Sequence, residues 1–284
     1  MKIDLATFTL AFTALFSCSQ LYAATGDGNS ISGLPPTNVP GGIYVMQLEP
    51  GISNITFESR VAMTVGNSAL IAIPINTKPG THQVSFKRNG QLESASFEVV
   101  DKTYTEQHIT LENQAMVDPP EETLKRIRSE LTRQRSLYRQ IRDPMDLSAG
   151  FHKPLEGITT SLYGHRRFFN GKPRSPHSGL DIAAPEGTPI KAAAAGTVTL
   201  ADDLYYNGKT IFLDHGQGLI TMYCHMSELS VKEGDVVLPE QTIGLVGTTG
   251  RSTGPHLHWS VSLAGYRVDP ELFMRVFDSA SQNL

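Results

Sequence analysis

Cysteine is almost absent from this chain, which has two in 284 residues, Cys18 and Cys224. That excludes an internal disulfide framework, so stability has to come from buried apolar surface. An excess of positive charge is missing too. The 24 Lys and Arg residues against 28 Asp and Glu give a formal net charge of −4 and a pI near 6.1. No basic footprint marks nucleic acid as a partner. Nor is there an apolar run of the roughly 20 residues that a membrane-crossing helix needs. What remains, 39% hydrophobic and 18% charged residues, is the balance of an ordinary globular protein. Its length favours two modest domains.

The nearest approach to a membrane segment is LATFTLAFTALFS, residues 5–17, behind Lys2. This is the length of a signal-peptide core, so residues 1–24 are read as a signal peptide. The protein is then exported, with the periplasm or cell envelope as the expected location. LFSC, residues 15–18, has the form of a lipoprotein box, and acylation of Cys18 would anchor the chain to a membrane. Cys224 is expected to be a small buried apolar residue. Its neighbour His225 should point the opposite way, as adjacent side chains on a strand do.

Residues 25–42, rich in Gly, Pro, Ser and Asn, predict a flexible leader. HQVSFK (82–87) and SASFEVV (94–100) then alternate apolar and polar residues on either side of Asn89-Gly90, the chemistry of a tight hairpin. With IYVMQL (43–48) and ALIAIPI (69–75) they predict a small β-sandwich-like accessory domain over residues 43–117. His82 and His108 within it have no partner at ligand spacing and are read as structural. Pro119-Pro120 introduces a stretch in which Leu124, Ile127, Leu131, Tyr138 and Ile141 recur at helical spacing, so residues 118–150 are read as a connecting helix and linker.

From residue 151 to 276 the segments TPIKAAAAGTVTLA, KTIFLDH, LITMYCHM, DVVLPEQTIGLVG and HLHWSVSL predict an antiparallel β domain, followed by a C-terminal tail at 277–284. The whole chain is therefore expected to be mainly β. NGKT (207–210) and the glycine-rich GLVGTTGRSTG (244–254) are not read as phosphate loops. The first has Asp203 where the leading glycine belongs, and no helix follows the second.

HSGLD (177–181) and GPHLHW (254–259) hold three of the nine histidines. Residues two apart on a strand share a face, so His256 and His258 can enter one cavity while Leu257 packs behind them. His177 and Asp181 are also an even number apart and can project together from a strand or a loop. Small Ser178 and Gly179 between them permit close backbone approach. Imidazole nitrogen and carboxylate oxygen suit zinc, and a catalytic zinc takes three protein ligands with a further position for water. Either motif by itself is a weak signal.

The intervening sequence strengthens it. RSPHSGLDIAAPEGTPIKAAAAGTV, LDHGQGLITMYCH and GTTGRSTGPHLHW, in that order, resemble the lysostaphin or LytM-type zinc metallopeptidases, exported enzymes that cut peptide bonds in bacterial cell walls. The resemblance covers residues 150–275 and includes SLYGHRRFFNG near its start. It implies that His177, Asp181 and His258 hold one Zn2+, which acidifies a water and polarises the peptide carbonyl. It also implies that His225 and His256 are catalytic, His225 as base and His256 as oxyanion support. The implied substrates are peptidoglycan stem peptides and cross-bridges. Arg166 matches a recurrent arginine of the family, and Met226 stands where leucine is frequent. Two other roles within reach of such a chain are a regulator of other wall hydrolases, marked in the family by a lost ligand, and a non-catalytic wall-binding module. No ligand is lost here.

Overall fold

The computed structural model describes residues 35–282. Residues 1–24, read as a signal peptide and containing Cys18, residues 25–34 and residues 283–284 lie outside them. No helix among the described residues is long and apolar enough to cross a membrane.

The described end of the leader belongs to the fold, against expectation. Thr37 and Val39 are buried, Gly41 N–H donates to the Ile73 carbonyl, and Ile43 N–H donates to that of Thr37. Proline and glycine here make a tight turn clamped to the first sheet.

Five strands, β1 (Ile43–Gln47), β2 (Ile52–Phe57), β3 (Arg60–Val61), β4 (Met63–Val65) and β5 (Ser68–Ala72), precede the hairpin of β6 (Gly80–Arg88) and β7 (Gln91–Val99). They form two sheets, β1-β5-β4 and β3-β2-β6-β7. Met46, Ile71 and Ile73 of the first pack on Val84, Phe86 and Phe97 of the second. The hairpin turns at Asn89 and Gly90, both at positive φ, as a two-residue Asn-Gly turn requires.

The chain then runs through β8 (Glu106–Ile109) and a short 3-10 turn (Gln114–Met116) into α1 (Glu121–Tyr138). Extended Pro120 starts this helix, and Glu121 and Glu122 occupy the first turn, where the helix dipole favours acidic groups. The helix stops at Tyr138, short of the exposed Ile141. Its buried face is Ile127, Gln134, Leu137 and Tyr138, the last two packed on Leu200, Phe212, Ile220 and Met222.

Strands β9 (Ile158–Ser161), β10 (Arg166–Phe169), β11 (Lys172–Pro173), β12 (Leu180–Ala183), β13 (Pro189–Lys191), β14 (Gly196–Leu204), β15 (Gly208–Asp214) and β16 (Leu219–Met226) follow. After them come β17 (Glu228–Leu229), β18 (Val236–Val237), β19 (Thr242–Leu245), β20 (His256–Leu263), β21 (Tyr266–Val268) and α2 (Pro270–Ser281). The principal sheet has the order β18-β14-β15-β16-β20-β12-β9, with β21 beside β20, and a small sheet is ordered β13-β19-β17. One face of the principal sheet supplies Tyr223, Leu257 and Trp259 to the main core, which α2 closes with Phe273 and Phe277. The alternate residues Ile220, Met222 and Cys224 face α1.

Two boundaries move. The line after residue 117 is crossed: the first region keeps a cluster of its own, but Ile43, Met63 and Leu70 join the main core and β8 pairs in parallel with β10. Residues 277–281, read as tail, are the end of α2, with Phe277 and Ala280 buried. Phe273, Val276, Phe277 and Ala280 recur at helical spacing, and Asp269 caps the helix with Pro270 in its first turn.

Candidate metal centre

Antiparallel pairing places Asp181 of β12 directly opposite His258 of β20, and His258 opposite Cys224 of β16. Directly opposed residues share a face, so Asp181 and His258 stand side by side. His177 arrives from the loop before β12, where its N–H donates to the His165 carbonyl and its own carbonyl accepts from Gly164. The backbone at Gly179 lies so close to β20 that a Cβ there would collide with the Trp259 carbonyl oxygen and lie 2.9 Å from His258 Cε1. Glycine is what lets His177 and Asp181 close on His258.

His177, Asp181 and His258 are all buried, and each offers one atom to a common point. Asp181 Oδ1 lies 3.0 Å from His177 Nε2 and 2.7 Å from His258 Nδ1, and the two nitrogens are 2.9 Å apart. Surrounding hydrogen bonds fix which of these atoms carries a proton. His177 Nδ1 donates to the Leu162 carbonyl at 2.7 Å, which leaves Nε2 a bare lone pair. Ser260 Oγ donates to the Ser178 carbonyl at 2.9 Å, so at 3.1 Å it accepts from His258 Nε2, and His258 Nδ1 is bare as well. Three lone pairs therefore meet, an arrangement that repels itself unless a cation stands among them. Two imidazole nitrogens and a carboxylate oxygen fit a divalent metal ion.

Burial raises the Asp181 pKa, but where His177 and His258 turn a proton toward the carboxylate their hydrogen bonds outweigh it and hold the pKa well below the usual range. Burial pushes His258 down to about 4, although Asp181 pulls it upward. The other carboxylate oxygen of Asp181 accepts from Arg167 Nη2 at 2.5 Å, and Arg167 is steadied by Gln107 Oε1 at 3.0 Å and Ser161 Oγ at 3.1 Å. Burial lowers the Arg167 pKa while Asp181 raises it. Arg166, the arginine singled out by sequence, is exposed and pairs with Glu106 at 3.0 Å. Adjacent residues of β10 point to opposite faces, and the fold turns Arg167 inward.

His225 and His256 meet beside the triad. Their ring centroids are 4.8 Å apart, and His225 lies 6.2 Å from His258. His225 Nδ1 donates to the Thr249 carbonyl at 2.8 Å, and His256 Nδ1 donates to that of Gly254 at 2.9 Å. Each neutral ring is left with an unprotonated Nε2. Burial, then repulsion from His256 and His258, pushes His225 down to about 3. Thr249 and Gly254 belong to the glycine-rich 244–254 stretch, which here orients imidazoles.

His225 and Cys224 do not point to opposite faces as expected. Lys209 pairs with Met226 and Ile211 with Tyr223, so Cys224 and His225 together oppose the single Thr210. His225 takes φ +63° in this bulge, and its ring swings to the same side of the sheet as the triad. Cys224 is buried as expected, and burial pushes its thiol up to about 12. His82 and His108 stay outside the centre: His82 Nε2 donates to the Lys78 carbonyl at 2.8 Å, and His108 stacks on Phe168 at 4.6 Å. A cavity of about 440 Å³ runs past the five predicted residues, with Arg251 and Ser252 among its walls, and reaches Gln134 of α1, Met222 and Arg267.

Residues 175–270 match Peptidase family M23. The DD-carboxypeptidase/endopeptidase Mpg of Neisseria meningitidis serogroup B is 45% identical over 94 residues, 33% of this chain and 22% of the relative. The peptidoglycan DD-endopeptidase ShyA of Vibrio cholerae serotype O1 is 41% identical over 95 residues, 34% of this chain and 22% of the relative. The matched part is thus about a fifth of the length of these curated relatives, 22% in both. A solved M23 peptidase family structure from Pseudomonas aeruginosa is 38% identical, with a TM-score of 0.67, covering 84% of this chain and 95% of its own. Triad, flanking histidines and likeness over nearly the whole of a solved relative lead to one assignment: the chain belongs to peptidase family M23.

Proposed function

We propose that this protein is a zinc-dependent endopeptidase that hydrolyses peptide cross-bridges of bacterial peptidoglycan after export to the periplasm or cell envelope. The observation that carries the reading is the convergence of three bare lone pairs, from His177 Nε2, Asp181 Oδ1 and His258 Nδ1, beside two further imidazoles. The relatives named as peptidoglycan endopeptidases support the substrate class.

In this reading His177, Asp181 and His258 hold the zinc, which when bound acidifies a water and polarises the scissile carbonyl. His225 is neutral because it is buried, and its Nε2 takes the proton of the attacking water and passes it to the leaving amine. The Nδ1–H of His256 is already given to Gly254, so Nε2 is the atom that would carry a proton offered to the oxyanion. Arg167 keeps Asp181 ionised and oriented.

Digestion of purified sacculi by the protein alone, with identification of the released fragments, tests the proposal. Stem peptides freed from their cross-links are the expected products. Sacculi left intact by the protein, yet opened by a separate amidase only in its presence, would replace the peptidase reading with that of a regulator.

A further inference from the structure

The cavity does not end at the histidines; it continues to Gln134, Met222 and Arg267. Strand register gives the scale. Ser260 and Met222 form the next row beyond His258 and Cys224 on the same face, and Ser262 and Arg267 form the row after that. At about 3.3 Å per residue, two to four residues from His258 amount to roughly 7–13 Å. A few extended residues entering the cavity from the histidines would cover that distance.

Two polar side chains there, Arg267 and Gln134, keep hydrogen-bonding capacity to spare. The Arg267 guanidinium carbon lies 3.9 Å from the Tyr138 ring centroid, its Nε is buried without a partner, and among the described residues no carboxylate pairs with it. Gln134 is 6% exposed and lines the cavity, and its amide makes no hydrogen bond among the described residues. The other cavity arginines are committed. Arg167 holds Asp181, and Arg174 donates to the Val117 carbonyl and to Asp118. Arg251 lies over the rings of Phe169 and Tyr206, at 4.5 and 4.4 Å, and donates to the Met116 carbonyl.

The buried Arg267 Nε has no partner, and the Gln134 amide faces the cavity, so a ligand entering there can complete both. Stacking on Tyr138 fixes the guanidinium plane, and a fixed fork of N–H donors beside an amide NH2 suits the two oxygens of a carboxylate. We propose that Arg267 and Gln134 form a specificity subsite for a carboxylate of the substrate, placed a few residues from the scissile bond. The subsite rests on the endopeptidase reading given above.

Kinetics of the zinc-loaded full chain on a cross-linked stem-peptide dimer, and on the same dimer with its carboxyls amidated one at a time, test it. One amidation is expected to lower kcat/KM by about tenfold or more, as loss of a charge-assisted bond does. In Arg267→Gln the acid-to-amide ratio falls to near one, while Arg267→Lys keeps part of the preference and Gln134→Leu weakens it. Equal loss on every form in Arg267→Gln, or indifference of the native protein to each amidation, overturns the subsite. Binding of the uncrosslinked stem peptide and its amides requires no turnover and separates the two ideas. Uncut dimers, with acid still bound about tenfold more tightly than one amide and Arg267→Gln erasing the difference, would defeat the peptidase reading and leave the subsite standing. Cut dimers with equal affinities for acid and amides would defeat the subsite alone. Should Arg267→Gln fail to fold, Gln134→Leu supplies the same comparison.

Discussion

The hairpin β6–β7 and the pair β16–β20 are both antiparallel, yet they treat polar residues in opposite ways. In β6–β7 buried and more exposed residues alternate over Val84–Phe86 and Ala95–Phe97, and His82, opposite Phe97, sits half-buried at the rim of that core against Phe57 and Phe97. In β16–β20 nearly every residue is buried, including Thr221, His225, His258, Ser260 and Ser262. Burying imidazoles and hydroxyls is unfavourable unless each finds a partner. Partners are present for His258 Nε2, as Ser260, and for His225, as the Thr249 carbonyl, while Ser262 Oγ has none among the described residues. A strand that tolerates polar groups in its interior has been shaped around chemistry, whereas one that sends them to solvent has been shaped around folding.

The largest contrast is expected from removing a histidine on each side. His258→Ala, or Asp181→Ala, should lower bound metal by more than about 100-fold and abolish hydrolysis, since either change takes a ligand away. His82→Ala should leave metal content and turnover at native levels; metal analysis beside a peptide-cleavage assay reads both. Equal metal in all three variants would erase the distinction between the strands.

Next in size are the flanking imidazoles. His225→Ala and His256→Ala should keep their metal and lose turnover by roughly 10²–10⁴-fold, the usual worth of a positioned acid or base. Loss of metal in step with activity would make them ligands or structural props instead.

Acid should separate the two regions through His215, which ends the buried β15 segment. Burial pushes this imidazole down to about 4, with Nδ1 donating to the Ala195 carbonyl at 2.7 Å. Its folded pKa is below the unfolded value of about 6.5, so its stabilising contribution is present above pH 6.5 and lost as pH falls through about 4. The loss should approach roughly 3 kcal/mol. Denaturant titrations from pH 7 to 4 should show a shallower slope for His215→Gln than for the native chain. Parallel curves for native protein and His215→Gln would contradict the assignment.

The smallest effect sharpens the comparison within the site. Arg167→Gln removes the guanidinium from Asp181 while leaving all three donor atoms, and metal affinity should weaken about 10–100-fold. Arg166→Gln, on the exposed side of the same strand, should leave affinity as it is. Competition with a metal-binding indicator measures both, and equal effects would mean that the inward turn of Arg167 is without consequence.

The same contrast explains what could be read from the sequence. Asn89-Gly90 and the alternation around it determine a hairpin by local rules alone, and the helical spacing of Leu124, Ile127 and Tyr138 announces α1. Even spacing on a strand keeps His256 and His258 on one face, while small Gly179 lets His177 come in from the loop before Asp181. Other features were not legible. The bulge that turns His225 is a matter of pairing with β15, and no residue in LITMYCHM declares it. Arg166 and Arg167 are the same residue type, so only β8 and β12 on either side of the site decide which faces in. Phe277 and Ala280 do carry a helical signal, which the label of tail passed over. The shared core of Ile43, Met63 and Leu70 with the second region is set by long-range packing, which local patterns do not encode.

The most direct measurement is cleavage of a cross-linked stem-peptide dimer by the purified full chain, stripped of metal with a strong chelator and titrated back with zinc. Activity should vanish on stripping, return in proportion to added zinc up to one ion per chain, and fail to return in His258→Ala. Cleavage that persists after all metal has been removed would contradict the proposal that His177, Asp181 and His258 form the catalytic centre.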